Sequence, residues 1–465
     1  MNTVVFSEAA YEALLQNIFR RFPSVQKEGF SSGAYKPGLE HMYAFDHALG
    51  HPSRAFRSVH IAGTNGKGSV ANMLASALTA CGLRTGLYTS PHLIDFRERM
   101  LIAAPAETAS PGTVAAPVTS QPEAALIPKE YVFNFLTEWM PFIEEHQLSF
   151  FEITTGLAFK WFADEKVDVA VVETGLGGRL DSTNVLLPEL AVVTTIGLDH
   201  CALLGNTLPE IAAEKAGIFK RGVPALVGER QKEVAEVFEK KARGYCPLFF
   251  ATDKDPALWD KHEEVLEKMD LRAAVQVKNL RTVLTAVDLL KDRFPSLKNA
   301  GAVLDGIVHT ARNMGFHGRW ERLSAHPYVL ADIGHNPQAL EYNFAQLESL
   351  MQSGRFSALI IVYGVMADKD LDAILPLMPK DATYIFTAPD TPRALPADAI
   401  LHRFNAFRKG RAITAGSVRE AVQMALQLSK DMGGPARRSA SAEAPSLIYI
   451  GGSTFVVTEA LPLFN

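Results

Sequence analysis

Cysteine is scarce, and nothing in the chain invites its pairing: Cys81, Cys201 and Cys246 are odd in number, far apart, and include no C-x-x-C pair. A disulfide framework is thereby excluded, and free thiols in a reducing compartment are the expectation. Excess charge is also lacking. With 46 lysines and arginines against 51 acids the net charge is −5, so no general basic field draws nucleic acid, and an anionic substrate must be held by local cations. Long apolar runs are missing too, since none approaches the ~20 residues of a membrane span. The opening residues, MNTVVFSEAAYEALLQNIFRRF, lack the basic start, apolar core and cleavage site of an export signal. The expectation is a cytoplasmic protein with neither nucleic acid nor membrane as partner. Hydrophobic residues at 48% and charged residues at 21% are ordinary for a globular enzyme, and 465 residues leave room for two or three domains.

Within that ordinary composition there is order. From about Arg57 onward, short β-branched runs at 58–62, 84–89, 167–173 and 191–196 alternate with helical stretches, the pattern of a mostly parallel α/β sheet. Thr207-Leu208-Pro209-Glu210 has capping-box spacing and predicts a helix through 211–218 that carries Lys215. A stretch with glycines, GFHGRW at 315–320, breaks the series. A second series follows, with strands at 328–333, 358–363, 383–386 and 447–450 and helices at 337–351 and 417–428. We therefore expect α/β architecture in two domains, 1–313 and 314–465, the second smaller and Rossmann-like. Two stretches, 103–128 and 433–446, are rich in small and helix-breaking residues. Neither can bury much apolar surface, and the first is long for a loop in a compact domain, so it reads as a flexible insertion.

The most informative segment is Val59-His60-Ile61-Ala62-Gly63-Thr64-Asn65-Gly66-Lys67-Gly68-Ser69, an apolar strand that runs into a glycine-rich turn and then a helix-like stretch. It reads as a nucleotide phosphate cradle. Glycines let backbone N–H groups converge on an anion, the helix offers its positive end, Lys67 can pair with the outer phosphates, and Ser69 lies near the metal. The spacing departs from the strict GxxxxGK[ST] motif, because Ile61 stands where the first glycine would be and Gly68 separates Lys67 from Ser69. In open α/β sheets ligands sit beyond the carboxyl ends of strands. The pattern puts Ser90, Glu173, and the pair Asp199 and His200 at such ends. A hydroxyl, a carboxylate and an imidazole on one rim could hold a divalent ion between protein and phosphate, with water completing the shell.

The variant GTNGKGS at 63–69 resembles the phosphate loop of the Mur ligase superfamily, specifically its folate branch, the dihydrofolate synthases and folylpolyglutamate synthases. The likeness extends across nearly the whole chain: TSPHLIDFRER at 89–99, FFEITTGLAF at 150–159, VVETGLGGRLDSTN at 171–184, TTIGLDH at 194–200, IAAEKAGIFKRG at 211–222, HGRWE at 317–321, DIGHNP at 332–337 and VYGVMADKD at 362–370. The resemblance implies an N-terminal P-loop-type Mur ligase ATPase domain and a smaller C-terminal Rossmann-like α/β domain. It implies ATP and two magnesium ions as cofactors, while the residues leave open whether potassium assists.

Several roles follow from the same resemblance. Gly63, Thr64, Asn65, Gly66, Lys67, Gly68, Ser69, Asn279, Arg319, Asp332 and His335 would bind ATP, and Ser90, Glu173 and His200 would be magnesium ligands. Lys215 corresponds to a lysine whose amine is carbamylated, so that it ligates the second ion. Lys67, Lys215 and His200 form the candidate catalytic set. Pro91, His92, Phe96 and Arg97 would meet the folate, with Phe96 available to stack and Arg97 or Arg99 available for carboxylates. Plainer readings stand beside these: Lys215 as a solvated helix residue beside a glutamate, Arg319 as an ordinary ion-pair partner, and Asp332 as the cap of the helix starting near Pro337. The insertion at 103–128 stands where this family usually has a short strand and compact turn.

The implied reaction is an amide ligation. ATP phosphorylates a substrate carboxylate, and the amine of L-glutamate attacks the acyl phosphate. The acceptor would be dihydropteroate, a reduced folate, or both. A peptidoglycan Mur-type ligase is the nearest enzyme alternative, but such ligases usually carry a sizeable domain before the phosphate loop, and only about sixty residues precede it here. A catalytically silent ATP-binding module is the alternative from another class. A monomer is the default expectation.

Overall fold

The computed structural model describes residues 5–22, 38–105, 124–253, 263–432 and 444–464. It divides into two units, Met1–Asp270 with Gln276–Phe316, and Leu271–Val275 with His317–Asn465.

The first unit is built on an eight-stranded sheet of β1 (Arg57–Ala62), β2 (Thr85–Tyr88), β3 (Met100–Ala103), β4 (Ala124–Leu126), β5 (Val169–Glu173), β6 (Leu190–Val193), β7 (Ala225–Val227) and β8 (Leu248–Phe250). Their order across the sheet is β4-β3-β2-β5-β1-β6-β7-β8. The run from β2 to β8 is parallel, while β3 pairs antiparallel with both β2 and β4. β5 and β6 are buried along their whole length, which is why they read as unbroken apolar runs rather than alternating ones. Helix Lys67–Ala80, which follows β1, is buried from Gly68 to Thr79. Its alanines, serine and glycine allow close approach: Ser76 Oγ donates to the Gly306 carbonyl at 2.6 Å, and a Cβ at Gly306 would lie 2.6 Å from the Ser76 carbonyl oxygen. Helices Lys129–Glu145 and Phe150–Asp164 cover β2 and β5 with a core that includes Phe45, Phe135, Phe159, Trp161 and Phe162. Ser149 starts the second of these helices with a capping box closed by Glu152.

The second unit carries six strands, β9 (Glu321–Ala325), β10 (Tyr328–Asp332), β11 (Ala358–Tyr363), β12 (Ala382–Phe386), β13 (Arg411–Thr414) and β14 (Ser446–Gly451). Their order is β13-β12-β11-β14-β10-β9, all parallel except β9, which is antiparallel to β10. Its core gathers Tyr363, Tyr384, Phe386, Phe404 and Tyr449.

The α/β expectation holds in both units, with particular corrections. The stretch read as a flexible insertion begins and ends in strands: Ala103 closes β3, Ala124–Leu126 is β4, and the next residue, Ile127, is fully buried. The rest of that stretch, 106–123, lies outside the described residues. Ser446, assigned to the second biased stretch, opens β14, and 433–443 lie outside the described residues. β9 was not foreseen, because Glu321–Ala325 is only partly buried and lacks a clean alternation. Thr207 does form a capping box with Glu210, but the α-helix is Leu208–Lys215, and Ala216–Ile218 tightens into a 3-10 turn. Among the described residues no helix is long and apolar enough to cross a membrane.

Candidate active site

β1 is flanked by β5 and β6, and β2 lies beyond β5, so four neighbouring parallel strands end on one rim. The register sets Glu173 beside Ile61 and Val193 beside Ala62. Ser90 follows β2, Glu173 ends β5, the phosphate loop follows β1, and Asp199 and His200 follow β6. This is the edge where open α/β sheets bind ligands.

The loop is shaped by backbone and pinned by the β6 side. Gly63 and Gly66 have φ of +150° and +85°, conformations that side chains disfavour. A Cβ at Gly63 would overlap Thr194 Oγ1, and one at Gly66 would overlap Asn279 Oδ1. Thr64 N–H donates to the Thr195 carbonyl at 2.8 Å, Thr64 Oγ1 donates to the Gly197 carbonyl at 3.1 Å, and Thr194 Oγ1 donates to the Asn65 carbonyl at 2.6 Å. Gly66 is the N-cap of helix Lys67–Ala80 and has no side chain to cap it, which leaves the first N–H groups for a ligand. Ser69 is buried beside that end and accepts from Gln276 Nε2 at 3.4 Å, while Asn279 Nδ2 donates to Gln276 Oε1 at 2.7 Å. Thr194, Thr195 and Gln276 escaped the sequence reading, although TTIGLDH carries the two threonines.

Two lysines and a carboxylate meet here. Lys67 Nζ lies 3.9 Å from Glu173 Oε1 and 3.3 Å from the Thr64 carbonyl oxygen. Ser90 N–H approaches Glu173 Oε2 at 3.4 Å, so Ser90 and Glu173 are neighbours as expected. Lys215 is not solvated: it is 4% exposed and its Nζ donates to the Gly63 carbonyl at 2.8 Å. Burial, and then the charge of Lys67, lower its amine to about 7, against the opposing pull of Asp199 and Asp181. His200 sits in a left-handed conformation at φ +53°, with its N–H on Asp199 Oδ1 at 3.0 Å.

Asp181 is a further residue missed, although it lies in the VVETGLGGRLDSTN run. Its buried carboxylate accepts from the N–H groups of Leu176 at 2.8 Å and Thr183 at 3.0 Å, and so fixes the glycine loop after Glu173. Burial raises its pKa. Thr183 Oγ1 in turn lies 2.8 Å from Nε2 of the buried His60 on β1, whose imidazole is lowered to about 3 by desolvation.

Among the described residues no group of three or more His, Cys, Asp or Glu side chains could hold a metal. Of the three expected donors, Ser90 and Glu173 are neighbours, and His200 follows β6, two strands from β5 on the same rim. A sparse set of this kind fits magnesium, which keeps several waters and binds one or two carboxylates together with substrate phosphates.

The segment after Ser90 satisfies its own charges. Glu98 accepts from the N–H groups of Leu93, Ile94 and Asp95, Arg97 pairs with Asp95 at 2.7 Å, and Arg99 Nε donates to His92 Nδ1 at 2.8 Å. Phe96 corrects the expectation. It is 4% exposed and packs against Phe19 and Phe150, so it is not available to stack on a ligand. Arg99 is buried over the Phe150 ring, while Pro91 is exposed and His92 and Arg97 are partly exposed.

In the second unit, Asp332 ends β10. Its carboxylate accepts from Trp320 N–H at 2.8 Å, Gly334 N–H at 2.7 Å and Asn343 Nδ2 at 2.7 Å. It does not cap the following helix, a task performed by Asn336. His335 Nδ1 lies 3.1 Å from the Ile333 carbonyl oxygen, and Arg319 is partly exposed in the turn before β9.

Residues 318–433 match the Mur ligase, glutamate ligase domain. A dihydrofolate synthase/folylpolyglutamate synthase of Mycobacterium tuberculosis is 34% identical over 460 residues, covering 92% of this chain and 90% of that protein. The structure of Mycobacterium tuberculosis folylpolyglutamate synthase complexed with ADP superposes with a TM-score of 0.78 at 27% identity, covering 98% of both chains. Escherichia coli FolC in complex with DHPP and ADP gives a TM-score of 0.74 at 25% identity, covering 97% of both. With sequence likeness along nine-tenths of its length and the same fold throughout, the chain belongs to the dihydrofolate synthase/folylpolyglutamate synthase family of ATP-dependent glutamate ligases.

Proposed function

We propose that this protein adds L-glutamate to dihydropteroate and to reduced folates through an acyl phosphate. The observation that carries the reading is the rim itself: an uncapped helix start behind Gly66, with Lys67 and Glu173 facing each other at 3.9 Å. Support for folate as acceptor comes from the relatives' names and from the segment after Ser90.

A carboxylate is a poor electrophile until it is activated. The γ-phosphoryl group of ATP passes to the substrate carboxylate, ADP leaves, the amine of glutamate attacks the acyl carbon, and phosphate departs as the amide forms. The first step brings two anions together, so the protein acts chiefly by positioning and by charge. Loop N–H groups from Gly63 to Ser69 take the phosphates, and Lys67 follows the charge that develops on the γ-phosphoryl oxygens. Ser90, Glu173 and His200 would hold one magnesium. When bound, magnesium neutralises phosphate charge and polarises the γ-phosphorus. Asn279, beside the loop, is assigned to the nucleotide as well; Arg319, Asp332 and His335, described on the second unit by itself, are assigned as nucleotide ligands on the resemblance of their motifs alone. Three of the roughly four acceptor positions of a carboxylate are taken at Asp332, which leaves capacity for one ribose hydroxyl.

Lys215 is assigned as a carbamate that holds a second magnesium. Carbamylation needs a neutral amine, which attacks carbon dioxide and releases a proton. A lysine lowered to about 7 is neutral in useful proportion near neutral pH. His92 and Arg97, with Pro91, are assigned to the folate.

The test is magnesium-dependent ADP release with ATP and L-glutamate, comparing 7,8-dihydropteroate, tetrahydrofolate and no acceptor, with products weighed by mass spectrometry. Turnover with both acceptors is expected. Turnover with only one narrows the enzyme to that activity, and ADP release indifferent to any acceptor overturns the ligase reading in favour of a silent or hydrolytic module.

A further inference from the structure

Away from the rim, the helix Glu40–Ala48 ends in a turn that doubles back. Gly50, at φ +85°, donates its N–H to the His47 carbonyl at 3.0 Å, and His51 donates its N–H to the Asp46 carbonyl at 2.7 Å. These are the two bonds of a Schellman turn with glycine in the left-handed position. The turn carries His51 back over the last helical residues. His51 itself sits at φ +60°, a conformation rare for a residue with a side chain. Its ring touches two partners at once: Nε2 lies 3.1 Å from His47 Nδ1, and Nδ1 lies 3.1 Å from Asp46 Oδ2. Asp46 is buried, and its other oxygen accepts from Ser53 N–H at 3.0 Å.

The hydrogen-bond logic fixes the proton positions. A carboxylate only accepts, so His51 Nδ1 carries a proton, and in the neutral ring Nε2 presents a lone pair toward His47. Two imidazole nitrogens bound to one tetrahedral zinc at about 2.0–2.1 Å stand roughly 3.3 Å apart, close to the 3.1 Å separation here. A carboxylate behind a ligating histidine is also the usual backing of such a ligand, since it fixes ring orientation and tautomer.

We propose that His47 Nδ1 and His51 Nε2 bind one divalent ion of the zinc class, with Asp46 holding His51 from behind. The proton balance is simple: His51 already has the required tautomer, and His47 shifts its proton from Nδ1 to Nε2. His47 is exposed and His51 partly so, so water completes the shell. Imidazole pairs suit zinc, nickel and copper, whereas the rim offers one imidazole among oxygen donors and phosphate, which makes this site chemically separate from the rim. With two protein donors it is an open site. The ion staples the helix end to the turn that leads through Pro52–Arg54 into β1, the strand that delivers the phosphate loop.

The experiment is calorimetric titration of zinc chloride into the untagged full chain, kept saturated with magnesium and ADP so that the rim is filled. One equivalent is expected for the parent protein and none at this site for His47→Gln or His51→Gln. Asp46→Asn should bind about tenfold more weakly, as loss of a backing carboxylate does. Zinc should raise the thermal midpoint of the parent and leave that of His47→Gln unmoved. His47 is exposed, so its replacement leaves the fold intact, and circular dichroism checks this directly. Equal zinc stoichiometry and affinity in parent and His47→Gln, or no zinc bound by the parent, overturns the proposal.

Discussion

The phosphate loop and the segment after Ser90 lie on the same rim and are built by opposite means. The loop is made of backbone: left-handed glycines, carbonyls held by Thr194 and Thr195, and N–H groups left at a helix start. The segment from Ser90 to Arg99 is made of side chains that answer one another, with Glu98 on three N–H groups, Arg97 on Asp95 and Arg99 on His92. Backbone construction keeps its donors for a ligand. Side-chain construction uses much of its charge to order itself, so its residues serve structure first.

Substitutions can break or sharpen this contrast. The largest effect is expected at Lys67→Ala, which removes the charge proposed to face the transferred phosphoryl group: turnover should fall about 10²–10³-fold, as when one oxyanion donor is lost, with unfolding by urea little changed. Near-parental turnover would detach Lys67 from the chemistry. Phe96→Ala should act the other way, lowering stability by about 3–5 kcal/mol as for a buried aromatic. The KM for dihydropteroate, measured well below the melting range, should stay within severalfold; a large rise in KM with unchanged stability would restore Phe96 as a stacking surface. Gly66→Ala should lower stability by about 1–3 kcal/mol, the strain of a disfavoured conformation, and weaken ADP binding measured by calorimetry. An alanine variant that binds ADP as the parent does would show that the loop adapts.

The smallest effect is a pH dependence. The Lys215 amine is at about 7 in the fold against 10.5 unperturbed. Between those values the unfolded chain binds more protons, so stability rises with pH across that window. In carbon dioxide-free buffer, the unfolding free energy of the parent relative to Lys215→Met should therefore grow by about 2 kcal/mol from pH 7 to pH 9. A flat difference would mean that the amine is not held neutral.

Strand ends carrying Ser90, Glu173 and the phosphate loop were readable from sequence because unbroken apolar runs mark buried parallel strands, and glycines mark the turn. Phe96 was misread because an aromatic inside a polar motif looks the same whether it faces solvent or Phe19 and Phe150. β4 was hidden by its alanines, which signal no strand, and β9 by a pattern with no clear face. The partners of Gly63 and Gly66, Thr194 and Asn279, lie more than a hundred residues away, and their proximity exists only once β1 and β6 are paired and the helix Gln276–Leu290 is in place. Similarly, the meeting of His47 and His51 depends on a turn whose only sequence mark is Gly50.

The burial of helix Lys67–Ala80 on every side, with Ser76 held between the Gly306 carbonyl and Asn313 Nδ2, bears on where the first unit tolerates change. One element both starts at the glycine loop and runs through the centre of the first unit, so a larger residue at its small, buried positions disturbs both. Its glycine, alanines and serines leave the least room, as the 2.6 Å approach of Ser76 Oγ to the Gly306 carbonyl shows. A search for stabilising substitutions in the first unit is therefore better aimed at its partly buried periphery than at this helix.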